Sequence, residues 1–485
     1  MTIDDVLVIG GGPAGLMAAH ELVHTSDKKV RLLEADPVYF GGISRTQNYK
    51  GFHFDIGGHR FFSKSKEIEA IWKKILPNDL MTRPRLSRIY YNRKFFSYPL
   101  RAFEALFNLG IWESTLCMIS HVKWRLFPVR QPKSFADWVS NAFGYRLFSI
   151  FFKTYTEKVW GMSTDELSAD WAAQRIKGLS LTRAIMASVM KSLGQKSSIK
   201  TLTETFTYPR LGPGMMWHAA ADQIRAKGGV IETDRRAIRF VRDDKQGVWA
   251  VTARDGQGQE HVYYAREVIS TAPMRDVIQA IQPAMETAKA ASKLRYRDFV
   301  TVALLMNKPA PFKDNWIYIH DPSVLVGRIQ NFAAWSPDMV PSKQEGCLGL
   351  EYFCFEGDAF WTTEDKKLVA LAKEELGKLG LVDVSKVFDG CVVRQPKAYP
   401  VYDDAYHDTV AAIKKELGER YPSFQLAGRN GLHKYDNQDH AMMTALLVAR
   451  NVIAGKHLYD PWSVNEDAEY HEECAEAKAP EGAQP

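Results

Sequence analysis

The run Gly10-Gly11-Gly12-Pro13-Ala14-Gly15 follows a four-residue apolar strand, Val6-Leu7-Val8-Ile9, and opens a stretch with Leu16, Ala19, Leu22 and Val23 on one helical face. A second strand, Val30-Arg31-Leu32-Leu33, ends in Glu34, nineteen residues after Gly15. Strand, glycine turn, helix, strand and acid in that order commit the chain to begin as a β-α-β unit that binds a dinucleotide. The glycines make a tight turn and let a pyrophosphate approach the backbone, and the helix N-terminus offers partial positive charge to the phosphates. Glu34 can accept two hydrogen bonds from the adenosine ribose. The cofactor-binding candidates of this unit are therefore Gly10, Gly12, Pro13, Ala14, Gly15 and Glu34.

Three further segments point to the extended dinucleotide FAD. Gly41-Gly42-Ile43-Ser44-Arg45-Thr46 places a second glycine pair close behind the acid, with Ser44 and Arg45 as candidates beside the pyrophosphate. Gly57-Gly58-His59 lets backbone lie close to a flat ring system, to which His59 could bond. Near the other end, Phe424-Gln425-Leu426-Ala427 reads as a strand and Gly428-Arg429-Asn430-Gly431 as a glycine-rich turn. Asp436 and Asn437 are N-cap candidates for a following helix with Met442, Ala445, Leu446, Ala449, Val452 and Ile453 on one stripe, ended by Gly455. A helix pointing its N-terminus inward would stabilise negative charge on a reduced flavin.

Composition excludes several classes. The 485 residues are 46% hydrophobic and 25% charged, as in a soluble globular protein. The net charge of +6 is uneven: residues 466–485 carry −6 and the body before them +12, which suits an anionic small molecule. No basic cluster is interleaved with aromatics, so nucleic acid is not an expected partner. Five cysteines without a C-x-x-C read as free thiols in a reducing compartment, and the thirteen histidines fall in no ligand spacing, so no metal is expected. Met1 is followed by Asp4 and Asp5 with no basic, apolar leader, which predicts a cytoplasmic protein. The most apolar stretch, Leu100 to Phe127, is interrupted by Glu104, Glu113, His121 and Arg125, so no stable membrane insertion is expected. The aromatics from Tyr98 to Phe127 recur at helical spacing and are expected to be core rather than a contact with a membrane surface.

The N-terminal fingerprint, the Gly-Gly-Ile-Ser-Arg-Thr segment and the C-terminal strand, Gly-Arg-Asn-Gly turn and helix resemble the flavin amine-oxidase and protoporphyrinogen-oxidase superfamily. Within it the chain resembles the UDP-galactopyranose mutases. Phe152-Lys153-Thr154-Tyr155-Thr156-Glu157-Lys158-Val159-Trp160-Gly161 is similar to their F-x-x-Y-T-x-K-x-W-G, and Gln174-Arg175-Ile176, Gly327-Arg328-Ile329 and Tyr399-Pro400-Val401 follow in the same order. The Gly428–Gly431 turn with Tyr435 and Asp439 is similar to their G-R-x-G-x-Y-x-Y-x-D-x-D. The resemblance implies that Arg175 and Arg328 hold a substrate diphosphate beneath the flavin, with Tyr155, Trp160, Tyr399 and Tyr435 around it. It implies that Arg429 lies near the flavin and, with Asp439, belongs to the cofactor site; His59, Arg175, Arg328 and Arg429 are the catalytic candidates. His433, Ala398 and Phe62 depart from the pattern and leave the sugar and the nucleotide open.

The expected fold is α/β. A discontinuous Rossmann-type FAD domain (residues 1–85, 206–290 and 401–465) carries a helical substrate domain (86–205) and an antiparallel-sheet substrate domain (291–400), with a disordered acidic tail over 466–485. The chain reads as helical from about Arg85 to Lys200, with Ser134 and Asp137 as a capping box, and Phe299 to Phe355 alternates like an antiparallel sheet. The expected activity is a sugar-nucleotide mutase working through reduced FAD for cell-surface polysaccharide synthesis, with NADPH or NADH as reductant. The alternative is an FAD-dependent oxidoreductase of the amine-oxidase, protoporphyrinogen-oxidase or desaturase type. The oligomeric state is open, a homodimer being one option.

Overall fold

Alternate residues of the first strand serve two cores. Val6 and Val8 point to one and Leu7 and Ile9 to the other, all essentially inaccessible, so Ile3–Ile9 lies mid-sheet and is covered on both faces. The computed structural model of the chain describes residues 2–167, 169, 204–403 and 406–465. Its eight-stranded sheet runs Ile281–Gln282, Arg236–Asp243, Val248–Arg254, Glu260–Ser270, Ile3–Ile9, Val30–Leu33 and Val230–Glu232. The end of Glu260–Ser270 lies parallel between Ile3–Ile9 and Phe424–Leu426, which brings the C-terminal segment beside the N-terminal one. Helices Pro13–Thr25, Pro213–Ala226 and Gln438–Ala454 cover one face through Leu16, Ala19, Met216, Trp217, Ala445 and Leu446. Helices Met274–Ala280 and Tyr406–Arg420 cover the other.

A second, seven-stranded sheet runs Val387–Pro400, Tyr296–Met306, Gly346–Cys354, Arg328–Asn331, Trp316–Ile319, Ser87–Tyr91 and Lys94–Ser97. Val300, Val302 and Leu304 face the helix Asp365–Leu379, while Phe299, Ala303 and Leu305 face the helical layer of Phe135, Val139, Phe148 and Trp160. The antiparallel sheet expected around Phe299 to Phe355 is therefore present, but the helical stretch expected from Arg85 begins later. Ser87–Tyr91 and Lys94–Ser97 form a hairpin whose first strand joins Trp316–Ile319 in parallel, a pairing between distant segments that local patterning does not encode. Two expected helix starts are present: Ser134 and Asp137 form a capping box for Phe135–Phe143, and Asn437 caps Gln438–Ala454.

One packing expectation fails. Between Tyr98 and Phe127 the helices Ala102–Leu109 and Ile111–Leu126 bury Ala105 and Cys117, whereas Phe103, Phe107, Trp112 and Phe127 face solvent. The helical period was legible there, but which side of the helix meets the sheet depends on how the hairpin before it is seated. Among the described residues no helix is long and apolar enough to cross a membrane, and no cluster of three metal-ligating side chains occurs. Arg175 and the tail 466–485 lie outside the described residues.

Candidate active site

The glycine turn builds a slot lined by backbone. Gly10 (φ +99°) donates its amide to the Leu33 carbonyl at 2.8 Å, and a Cβ on Gly15 would lie 1.8 Å from the Gly10 carbonyl oxygen, so the helix Pro13–Thr25 closes directly onto the turn. Pro13 occupies the first helical turn, and Ala14 packs where a Cβ on Gly428 would come within 2.7 Å, pinning the two glycine turns together. Gly41 donates to the Gly11 carbonyl at 2.8 Å, which sets Gly42 (φ +54°) opposite Gly12: a Cβ on either would approach only the other's backbone, at 3.9 and 3.5 Å. Between Gly12 and Gly42 there is thus a gap without side chains. Glu34 accepts hydrogen bonds from the amides of Gly11 and of Asp36, the latter at 2.7 Å, and burial raises its pKa against the pull of those amides. These bonds hold the carboxylate at the end of the second strand.

Arg45 leans over this slot, donating Nη1 to the Gly42 carbonyl at 2.9 Å and to Gln395 Oε1 at 2.5 Å. Its buried Nε has no partner among the described residues, and burial lowers its pKa. Ser44 turns away: its hydroxyl donates to Gln438 Oε1 at 3.1 Å, and Gln438 donates to the Arg60 carbonyl at 3.0 Å. Asp439 accepts from Ser63 at 2.8 Å. Ser44 and Asp439, expected beside the cofactor, thus bind the start of the C-terminal helix to the N-terminal turns.

His59 marks the second part of the site. Burial first, then the charges of Arg429 and Arg328, hold its pKa down to about 3, and its buried Nδ1 has no partner among the described residues. The position one before it is glycine for a reason internal to the protein: a Cβ on Gly58 would stand 2.4 Å from Trp316 and 3.1 Å from Trp335. Arg429 donates Nε to the Asp436 carbonyl at 2.7 Å and Nη1 to the Ala398 carbonyl at 3.1 Å. Its guanidinium lies 5.4 Å and 5.1 Å from the ring centres of Tyr399 and Tyr435, which stack on each other at 5.5 Å and 13°. Arg328 donates Nη2 to the Tyr399 hydroxyl at 3.1 Å and Nε to Glu351 at 2.7 Å. Burial opposes its charge, but Glu351, Tyr399 and Tyr155 more than restore it, so its pKa is raised. The Tyr155 ring stacks on His320 at 4.9 Å and meets Tyr318 edge-on at 5.4 Å.

The structure therefore gathers His59, Arg328, Arg429, Tyr155, Tyr399 and Tyr435 and gives Trp160 another task. Trp160 is buried in the core at the end of helix Thr154–Trp160. Arg297 clamps that end by donating to the carbonyls of Val159 at 2.9 Å and Lys158 at 3.2 Å, and Gly161 (φ +64°) fits against its guanidinium. Lys158 donates to the carbonyls of Ile319, Asp321 and Val326. The Lys158–Gly161 segment is thus a junction between helix and sheet, which holds Tyr155 in place. Glu351 and Tyr318 are members that the sequence reading missed. Glu351 is the cross-strand partner of Arg328, so its role becomes visible only when the two strands are paired.

The backbone slot and the buried, unpartnered Arg45 Nε and His59 Nδ1 fit an extended flavin dinucleotide. Residues 13–453 match the family of flavin containing amine oxidoreductases, and the chain belongs to that family. Among solved structures it is similar to a reduced UDP-galactopyranose mutase, with a TM-score of 0.80 and 20% identity over 96% of this chain and 98% of that one. It is also similar to a protein of Exiguobacterium sp. 255-15 assigned as a protoporphyrinogen oxidase (TM-score 0.69, 15% identity, 94% and 100% covered). A putrescine oxidase bound to putrescine follows at TM-score 0.60, 14% identity and 93% and 99% covered. These likenesses establish the fold; the chain is a flavin-dependent enzyme of the amine-oxidase superfamily.

Proposed function

We propose that the protein is an FAD-dependent sugar-nucleotide mutase that interconverts ring forms of its substrate with the flavin reduced. The observation that carries this reading is the cluster of Arg328 and Arg429 with Tyr155, Tyr399 and Tyr435 around a neutral His59. Arg328 beside the Tyr399 hydroxyl, and Arg429 over the Tyr399 and Tyr435 rings, suit the oxygens of a diphosphate, because arginine offers a fork of donors to an anion. Arg175, outside the described residues, is proposed as a further partner. Gly10, Gly12, Gly15 and Gly42 would hold the FAD pyrophosphate, with Glu34 at the ribose and Arg45 over the slot. When bound, FAD supplies an electron-rich ring on reduction, and NADPH or NADH is the proposed source of electrons. Burial, helped by the fixed charges of Arg429 and Arg328, keeps His59 unprotonated at neutral pH, so it can donate or accept one hydrogen bond without adding charge. The stacked Tyr399 and Tyr435 give the cleft a rigid wall, and Arg429 is held by two carbonyls rather than by an acid, so its charge stays available to the site.

A second reading, an FAD-dependent oxidoreductase, draws on Glu351, which spends part of the charge of Arg328 and leaves the cleft less cationic. One experiment separates the two. UDP-, GDP- and dTDP-sugars are incubated anaerobically with oxidised and with dithionite-reduced protein, and ring isomers are resolved by chromatography. The mutase converts substrate only after reduction, and one reduction supports many turnovers. Product formed by oxidised protein in proportion to acceptor consumed would instead establish the oxidoreductase.

A further inference from the structure

The helices Ala102–Leu109 and Ile111–Leu126 present an apolar face that nothing in the described fold covers. Phe107 is 86% exposed, Ile111 91% and Trp112 76%, and Phe103, Ile119, Val122, Leu126 and Phe127 are each more than half exposed. Phe103 and Phe107 lie one turn apart on the first helix; Ile111, Ile119, Val122 and Leu126 line one side of the second. The opposite sides carry Ala105, Cys117 and His121 into the protein, so the exposed stripe is built on anchored helices. Ser114 donates to the Leu106 carbonyl and ties the two helices together across Gly110. A concentration of exposed apolar side chains of this kind marks an interaction face.

Its rim is basic. Between residues 92 and 130 the chain has six arginines and lysines and two glutamates, a net of +4. Arg93, Lys94, Arg101, Lys123, Arg125 and Arg130 are all exposed. Both glutamates are engaged: Glu104 accepts from the amide and hydroxyl of Ser97, and Glu113 pairs with Arg146. The two helices and the residues flanking them therefore combine large exposed apolar side chains with exposed cations, and residues 92–130 have no exposed carboxylate.

We infer that this face docks the protein on the surface of an anionic lipid bilayer, its apolar stripe reaching the acyl boundary and its cations meeting the headgroups. Helices of this composition lie in the plane of the interface and do not span it. A second copy fits less well, since it would set +4 against +4. The C-terminal residues 466–485 carry negative charge but contain one aromatic and no Leu, Ile, Val, Phe, Met or Trp, so their composition offers the stripe little apolar surface. The docked face also adjoins the candidate active site. Tyr98, just before the first helix, packs its ring 4.6 Å from Tyr318, which meets Tyr155. Docking does not rest on the flavin chemistry and is read without turnover.

The test is sedimentation of the full-length protein with vesicles of phosphatidylcholine alone or mixed equally with phosphatidylglycerol, at low and high salt. The wild type should bind the mixed vesicles and bind less at high salt. Phe107→Glu with Ile111→Glu should weaken binding by about tenfold or more, because charged groups replace two side chains of the buried stripe. Phe107→Ser with Ile111→Ser, gentler on the fold, should weaken it in the same direction. Lys123→Ala with Arg125→Ala should weaken binding chiefly at low salt. Flavin content and circular dichroism check that each variant is folded. The inference is overturned if the wild type ignores phosphatidylglycerol vesicles, or if folded variants of both apolar pairs bind as well as wild type. It is equally overturned if the wild type self-associates in analytical ultracentrifugation, the apolar variants abolish that association, and no vesicle binding is seen.

Discussion

Glu351→Gln keeps the shape of the side chain and removes the charge facing Arg328. Gln330, which donates to the other Glu351 oxygen, can turn its amide oxygen, unpartnered among the described residues, toward the new amide group. The guanidinium reaches one Glu351 oxygen through Nε at 2.7 Å and Nη2 at 2.6 Å, and Glu351 has no exposed surface. Removing one partner of a buried pair leaves an uncompensated charge, at a cost of roughly 3–5 kcal/mol. The Tyr399 hydroxyl stays at 3.1 Å and the amide oxygen still accepts, which puts the cost at the lower end, about 3 kcal/mol. With about 2.1 cal/mol/K of unfolding entropy per residue, the 485-residue chain has about 1 kcal/mol/K, and the melting midpoint should fall by about 3 °C. The same substitution should act oppositely on an anionic ligand. UDP would no longer compete with Glu351 for Arg328, so its Kd by calorimetry should fall, whereas Arg328→Ala should raise it. Arg328→Met combined with Glu351→Leu removes both charges and should recover most of the stability while UDP binding stays weak. An unchanged midpoint together with an unchanged Kd for Glu351→Gln would refute the idea that this carboxylate balances a charge otherwise available to the ligand.

Gly12→Val should put a branched side chain into the gap facing Gly42, and the protein should purify without yellow colour while still folding; a fully yellow variant would contradict the placement of FAD in that slot. Acid should destabilise the protein through its buried histidines. Burial is the main cause that lowers His20 and His433 to about 4 and His59 and His320 to about 3 from the usual 6.5. Because the folded values lie below the unfolded one, each contributes stability above pH 6.5 and loses it as pH falls, at about 1.4 kcal/mol per pH unit. Urea unfolding between pH 6.5 and 4 should therefore show a steep decline, and His433→Phe should make it shallower by one histidine's share; an identical slope would exclude His433 from the effect.

Local rules made the dinucleotide unit readable. A glycine turn must follow a strand and precede a helix if backbone amides are to face phosphate, so Gly10 to Gly15 and Glu34 declared themselves by order and spacing. The same holds for the two N-caps at Ser134 and Asn437, where a side chain bonds to backbone two or three residues away. The resemblance to known mutases added Arg328, Tyr155, Tyr399 and Tyr435 as a set, and the fold brings these together. What the sequence could not settle were the relations between segments far apart in the chain. Glu351 became the partner of Arg328 because two antiparallel strands align them, and Trp160 became core because its helix ends against Arg297. Ser44 bonds to Gln438, 394 residues away, and no local pattern announces such a bond. The helices after Tyr98 carry the plainest lesson. Their apolar period was legible, but a period says only that one side is apolar; whether that side meets the core or the solvent is decided by the sheet on which the helix is seated.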